Sequence, residues 1–532
     1  MLCYFFFNLL VKRVFRNPDL SYSEGAFGKN QRPVQPVNFS NFVELFLSFH
    51  CSIIQITLLQ IPPFMPKLKL RGKDLLALGY QEGPAVGTAI SIMHQHYKRK
   101  SFDEAIEILK NILEKPEAYL QDDKLAPVSR LLLQKTEKEQ TAAALALAET
   151  PQSYESFGVE GIERGAIAQM ETAMRLPVTV AGALMPDAHE GYGLPIGGVL
   201  ATDNAVIPYG VGMDIGCRMC LTVYDLKPDF LEKNRTQLKD LLLENTRFGQ
   251  AGFEKPMDDE VLHRPEFKEI PFLKKLKSKA ADQIGSSGSG NHFVEFGIVH
   301  ISDESNEFHL PPGEYLGILS HSGSRGFGAN IAQHFTKVAM DKTPLQREAK
   351  HLAWLSLDDE AGMEYWLAMN LAGDYASANH AHIHHRLAKA LGEQPIAKVE
   401  NHHNFAWKEP VNGREAIVHR KGATPAGAGV LGIIPGSMTA PGFIVRGKGK
   451  PISLNSASHG AGRKMSRRQA QESFRPEQMK KYLQVHGVDL LGGGLDEAPF
   501  AYKNIEQVMA FQQDLVEVIG SFLPKVVRMD RG

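Results

Sequence analysis

The sequence predicts an α+β protein: a mixed β-sheet core with surrounding helices, preceded by a small helical N-terminal appendage. Three observations carry that expectation. From about residue 155, short apolar strand-like runs repeatedly end in Gly/Ser/His turns, as in LPIGGVLATDNAVIPYGVGMDIGCRMCLTVYD and YLGILSHSGSRGFG. Strand ends of that kind build sites in mixed domains. Residues 66–150 and about 327–394 read instead as helix. Composition is that of an ordinary globular chain: of 532 residues, 43% are hydrophobic and 22% charged, so a sizeable core is available.

Three regions follow in order. Residues 1–64 are apolar, and in MLCYFFFNLLVKRVFR the positive charges come after the apolar run, the reverse of a secretory signal. A second apolar stretch, VELFLSFHCSIIQITLLQI, is broken by Glu44, His50, Gln55 and Gln60. Those polar groups are costly in hydrocarbon, so no membrane span is expected. At Met65 the text changes to MPKLKLRGKDLLALGYQEG, like an ordinary N-terminus, and residues 1–64 are expected to be an upstream extension. Residues 65–150 form the helical appendage. Ser101 is the expected N-cap of SFDEAIEILKNILEKPEAYL, with Ile106, Ile108, Leu109, Ile112 and Leu113 along it. EKEQTAAALALAE is a strong helix former by propensity. Residues 151–532 carry the chemistry, and no repeat or low-complexity tract interrupts them.

The net charge of −1 excludes a polycation, so nucleic acid would have to meet a local basic cleft. Four cysteines (Cys3, Cys51, Cys217 and Cys220) make no disulfide framework and fit a reducing, cytoplasmic setting. Nothing in the sequence speaks against a monomer.

MDIGCRMC, GSGNHF, SHSGSRGFG and ENHHNF supply metal-ligand types: Asp214, Cys217, His292, His321, and His402 or His403. One thiolate, one carboxylate and several imidazoles suit a borderline transition metal such as Mn, Zn, Fe or Co. A thiolate can bridge two metals, and two metals about 3.5–4 Å apart serve phosphoryl chemistry. CRMC is formally a C-x-x-C. In a strand that spacing turns its sulfurs to opposite faces, so Cys217 is taken as ligand and Cys220 as a buried apolar residue. In NHAHIHHRL, His380 and His384 sit at helical i, i+4 spacing, but without acidic neighbours an exposed face or helix packing is expected. NSASHGAGRKMSRR sets His459 among small residues before Arg463, Arg467 and Arg468. HRKGATPAG (His419, Arg420, Lys421) and Arg325 add cations beside glycine, a pattern that suits an anion. No Walker motif occurs, and no G-x-G-x-x-G opens a recognisable βαβ unit.

In order, MPDAHEGYGLPIGGV, GVGMDIGC, GSGNHFVEF, HSGSRGFG, HRKGATPAG, IPGSM and SHGAGRKMSR resemble the RtcB family of RNA-splicing ligases over roughly 160–532. The resemblance implies joining of RNA 3′-phosphate or 2′,3′-cyclic phosphate ends to 5′-hydroxyl ends. It implies GTP and two Mn²⁺, a covalent histidine–GMP intermediate, and a role in RNA repair or tRNA splicing, with a protein activator in some members. It makes His459 the guanylylated nucleophile and Asp187 an acid–base residue. Cys217 becomes the bridging ligand, with Asp214 and His292 on one Mn²⁺ and His321 and His403 on the other. Asn291, Phe293, Glu295, Ala461, Gly462 and Tyr502 match nucleotide contacts; Arg325, Lys421, Arg463 and Arg467 match phosphate contacts.

Three departures bear on nucleotide choice and RNA substrate. The chain ends RMDRG, setting Arg531 where the family has a lysine that reaches guanine. TAPGF follows IPGSM where the family carries a nucleotide-contacting serine, and DIGCR replaces a common DINCG. Two further readings stand beside the ligase: a metal-dependent cyclic phosphodiesterase, and a non-catalytic RNA-binding component of a repair or ribosome-rescue complex.

Overall fold

The computed structural model describes residues 68–530 apart from 69, 81, 82, 142–144, 255, 256 and 303. Residues 1–64, with both apolar stretches, and Arg531 lie outside the described residues. Two compact units divide between Glu137 and Lys138.

The first unit holds α1 (Gly72–Ala77), α2 (Pro84–His96), α3 (Phe102–Glu114) and the start of α4 (Ala126–Thr141). Ser101 does cap α3. Its hydroxyl accepts the Glu104 N–H at 3.2 Å while the Glu104 carboxylate accepts the Ser101 N–H at 2.8 Å, a reciprocal capping box. The helices bury Leu75, Met93, Leu109 and Ile112 against one another. The helix expected through EKEQTAAALALAE ends early. Leu145 makes an isolated bridge to Leu345, and the Ala148 N–H donates to Arg175 O. Pairing within the second unit overrides local propensity there.

The second unit is built from α5 (Arg164–Ala173), α6 (Pro271–Gln283), α7 (Arg325–Lys342), α8 (Glu360–Leu391) and two principal sheets. The strands that matter for the site are β1 (Thr179–His189), β2 (Ile196–Thr202), β3 (Arg218–Tyr224), β4 (Phe293–Ile301), β5 (Gly313–Ser322), β6 (Ala397–His402), β7 (Asn404–Val411), β8 (Arg414–Lys421) and β9 (Val516–Met529). The first sheet runs Glu155–Ser156, β1, β2, β8, β7; the second runs Leu431–Ile434, Gly442–Gly447, β9, β4, β5, β3, β6. Both are antiparallel except where Glu155–Ser156 joins β1 and Asp489–Leu491 joins β9 in parallel. The fold is therefore mixed α+β, as the sequence predicts. β6 passes into β7 through His403 alone, so one continuous segment ties the two sheets together.

Alternation along the strands separates two environments. Register pairs Met219 with His321 and His321 with Phe293, which puts these on one face. Cys220 pairs with both Ser320 and Glu400 on the other face. That second face packs on α8 through Val294, Phe296, Leu316, Ile318, Ile383 and Leu387. α5 covers the first sheet through Met170 and Ala173 against Leu184 and Leu200. Among the described residues no helix is long and apolar enough to cross a membrane.

Candidate active site

Four strand ends converge by register. Arg218 opposes both Ser322 and His402, and Phe293 opposes His321. Cys217, His292, His321 and His403 are each at or beside one of those positions, so the pairing alone gathers them. Cys217 Sγ is 3.3 Å from His292 Nε2 and 3.1 Å from His321 Nε2. His321 Nε2 is 3.3 Å from His403 Nε2, and Asp214 Oδ2 is 2.9 Å from His292 Nε2. The backbone between His402 and Asn404 turns His403, not His402, into this cluster; the His402 ring lies against Phe405 and Trp407.

The hydrogen-bond arithmetic of this cluster fits a metal. His321 Nδ1 lies 3.0 Å from the Asn291 carbonyl, which can only accept, so the ring proton sits on Nδ1 and Nε2 is a bare lone pair. That lone pair faces a thiol and a second imidazole nitrogen. Burial, then the neighbouring histidines, hold His321 and His403 well below the ordinary imidazole value, so both rings are neutral. Burial and the adjacent Asp214 carboxylate raise the Cys217 thiol well above its usual value. Burial would raise the Asp214 carboxyl, but His292 beside it holds it down to about 2. Cys217 therefore keeps its proton until a cation faces it, and a divalent ion would satisfy the whole set.

His459 follows the strand Ser456–Ser458, which pairs with Ala423–Pro425. Its ring lies 5.0 Å from that of His403, centroid to centroid. Asp187, fully buried near the end of β1, accepts from His459 Nδ1 at 2.7 Å and from the His459 N–H at 3.1 Å. One carboxylate oxygen thus fixes ring and backbone together, and in the neutral ring this makes Nε2 the lone-pair atom. Burial alone would raise the Asp187 carboxyl; His459, with His189 and Lys503 nearby, keeps it below the ordinary value. Gly462 has φ +71° and an added Cβ would stand 2.1 Å from Asp187 O. Glycine there lets the segment after His459 approach β1.

A cavity of about 1050 Å³ opens onto His459 and the cluster. Asn291, Phe293, Glu295, Ala461, Gly462, Tyr502, Arg325, Lys421, Arg463 and Arg467 all line it. Glu295 is buried, and desolvation pushes its carboxyl well above the usual range. The cations differ in what they already hold. Arg325 donates to Gly249 O and to Ser286 Oγ. Arg463 donates to Glu497, Asp496 O and Met465 O, and Arg467 pairs with Asp496 and Glu497. Lys421 Nζ donates to Tyr192 O and Leu194 O. Arg420 is turned away, gripping Glu409 with two nitrogens, and His419 is wholly buried.

Several contributors escape a sequence reading. Glu497, 2% exposed, collects Arg463, Arg467 and the Tyr502 hydroxyl. Its only signal is an acidic doublet after three glycines in GGGLDEAPF. Lys503 donates to Pro186 O and Ala188 O, bracketing Asp187. Asn404 bridges Asp214 O and the Gly422 N–H.

His380 and His384 are buried packing residues, not an exposed face. With Cys220 they form a second cluster of metal-ligand types on the α8 side of the sheet. Here, however, hydroxyls occupy the ring nitrogens. Ser320 Oγ is 2.6 Å from His380 Nδ1 and 2.8 Å from His384 Nε2; Thr222 Oγ1 is 2.8 Å from His384 Nδ1. His380 Nε2 donates to Ser322 O. A chain of satisfied hydrogen bonds accounts for both rings.

Comparison with known proteins bears on the same region. Residues 169–530 match the family model described as tRNA-splicing ligase RtcB. The chain is 34% identical to the RNA-splicing ligase RtcB of Escherichia coli K12 over 366 residues, covering 63% of this chain and 87% of that one. It is 31% identical to the tRNA-splicing ligase RtcB of Thermococcus kodakarensis over 399 residues, 61% of this chain and 82% of that one. RNA-splicing ligase RtcB homolog 1 of Entamoeba dispar is 30% identical over 418 residues, 64% and 77% respectively. The matched segment begins in α5 and contains Asp187, the Cys217 cluster and His459 alike, and on that ground the chain belongs to the RtcB family.

Proposed function

We propose that this chain is a GTP- and Mn²⁺-dependent RNA ligase acting in RNA repair or tRNA splicing. It joins a 3′-phosphate or 2′,3′-cyclic phosphate end to a 5′-hydroxyl end through a histidine–GMP intermediate. The observation that carries this reading is the placement of His459: Nδ1 is held by a buried carboxylate, and the ring stands beside that of His403 in the Cys217 cluster. In a metal-dependent diesterase, water is the nucleophile and no such histidine is needed.

His459 Nε2 attacks the α-phosphorus of GTP, the N–P bond forms, and pyrophosphate leaves. The imidazole becomes cationic as it does so, and Asp187 stabilises that charge through the Nδ1 proton it already accepts. Breaking the N–P bond then passes GMP to the RNA 3′-phosphate and returns His459 to its neutral form. The 5′-hydroxyl displaces GMP, completing the phosphodiester. A cyclic phosphate enters only after water has opened it to the 3′-phosphate.

Asp214, Cys217, His292, His321 and His403 would hold the two Mn²⁺, which supply Lewis-acid stabilisation to charge developing on phosphate oxygens. The nucleotide lies against Asn291, Phe293, Glu295, Ala461, Gly462 and Tyr502. Glu295 offers guanine a carboxyl group whose hold on its proton burial strengthens. Arg325, Arg463 and Arg467 face the phosphates. The two arginines at Glu497 would exchange part of their carboxylate contact for phosphate.

The test is self-guanylylation. Full-length protein is incubated with α-labelled GTP and Mn²⁺, denatured, and examined for retained label, beside His459→Ala and Cys217→Ala. Label on the wild type that both substitutions abolish is expected. A folded, metal-loaded wild type that takes no label from any nucleotide would sink the reading.

A further inference from the structure

We propose that the Tyr192 ring is a stacking surface for a terminal nucleobase of the RNA, and that Lys421 serves to hold that ring in place. The inference rests on the RNA-ligase reading and names a subsite within it.

Tyr192 is 67% exposed, yet it stands at the wall of the same cavity that contains His459. A tyrosine ring at a cavity wall offers an apolar face with a polar tip that can stay wet. Its backbone is far from free. Gln169 bonds Gly191 twice, accepting its N–H at 3.0 Å and donating to its carbonyl at 2.6 Å. Lys421 Nζ donates to the carbonyls of Tyr192 and Leu194. At Gly193 φ is +70°, and an added Cβ would lie 2.8 Å from His351 O, so the loop is pressed against its neighbour. The ring is also braced. Tyr209 meets it at 6.1 Å and 82°, and His351 at 5.9 Å and 73°. An exposed ring on a loop fastened at three successive residues is a preorganised surface, which lowers the ordering cost of binding.

The cavity supports a nucleobase as the occupant. At about 1050 Å³ it exceeds what one nucleotide fills, leaving room beside the nucleophile for an RNA end. Stacking on an aromatic ring accepts any base, so the surface requires no particular terminal sequence. The position of Lys421 points the same way. Lys421 is 7% exposed and spends two of its three donors on carbonyls of this loop, so holding the loop is the role its contacts support.

The experiment uses the full chain, Mn²⁺ and short single-stranded RNAs with a 3′-phosphate or a 5′-hydroxyl end. For each end, a matched RNA lacks the base of the terminal nucleotide. Stacking predicts that Tyr192→Ala weakens binding of one base-bearing end by roughly 5- to 150-fold. The wild type should bind the matching abasic RNA as weakly, and the substitution should add no further loss there. Tyr192→Phe should restore most of the affinity. Lys421→Ala should weaken the same end while leaving the salt dependence of binding unchanged; a lost phosphate contact would reduce the log–log slope by about 0.7. Equal loss with base-bearing and abasic ends, or no loss at either end, overturns the stacking surface. A reduced salt slope in Lys421→Ala overturns the role given to the lysine. Wild-type protein that binds none of the RNAs overturns this proposal and the ligase reading together.

Discussion

His459 owes its orientation to a residue 272 positions earlier in the chain. Asp187 accepts from both the ring and the backbone of His459, so its charge sets the tautomer and its position sets the backbone. Asp187→Asn keeps the shape but offers an amide where a carboxylate stood. Guanylylation should fall on the order of 100-fold or more, the usual worth of a positioned acid–base partner, while GTP binding changes little. Single-turnover labelling against GTP concentration separates the two; an equal rise in apparent Kd would place Asp187 in binding alone. At this scale much was legible. Histidine, cysteine and aspartate beside glycine mark strand ends, and five such residues do meet. Glu497 was not legible, because a buried carboxylate gathering two arginines and a tyrosine leaves no trace in an acidic doublet. Nor was the turn of Lys421 toward carbonyls, since a lysine beside glycine reads the same whether it meets an anion or a main chain.

The strand β5 and the helix α8 show how one element carries two chemistries. His321 faces the cavity while Ser320 lies between two imidazoles of α8. Ser320→Ala would strand two buried ring nitrogens, a cost of about 1–3 kcal/mol for each unsatisfied group. Urea unfolding should report that loss, and an unchanged midpoint would mean the serine is dispensable. The same reading separates the two cysteine clusters. Cys217→Ser should lower bound Mn²⁺ as measured by elemental analysis, whereas Cys220→Ser should leave it unchanged. A drop in the second variant would make the α8 cluster a metal site. Sequence periodicity located α8, and its i, i+4 histidines fit either a ligand pair or core packing. Only the facing strand decides, because it brings hydroxyls to both rings.

Across the whole molecule, buried neutral histidines make stability depend on acid. His419 is the clearest. Its Nε2 accepts the Ile207 N–H at 2.9 Å and its Nδ1 donates to Leu200 O, so a second ring proton would break a backbone bond. Burial lowers its value from the ordinary 6.5 to about 4. Between those values the unfolded chain holds more protons than the folded one. Stability is therefore complete above pH 6.5 and declines as pH falls toward 4, by about 3 kcal/mol for this group. His380 and His189, also near 4, add in the same direction. Urea midpoints measured from pH 7.5 to 4 should fall, and His419→Gln should flatten the slope by about 1.4 kcal/mol per pH unit. Identical slopes would remove His419 from the account. The α+β class was legible at this scale from alternating strand and helix texture. The joining of two sheets through His403 was not, since a single residue between strands reads as one continuous strand.

The division of β5 between cavity and helix has a genetic consequence. Side chains alternate with a period of two, so deleting or inserting one residue within 313–322 exchanges every inward group for its neighbour. His321 would be delivered to α8, and a serine to the cavity. β3 and β4 face the same constraint through Met219 and Phe293. These strands can absorb many substitutions but no change in length, and insertions that survive selection should collect between β4 and β5, where a shift of frame never reaches Phe293 or His321.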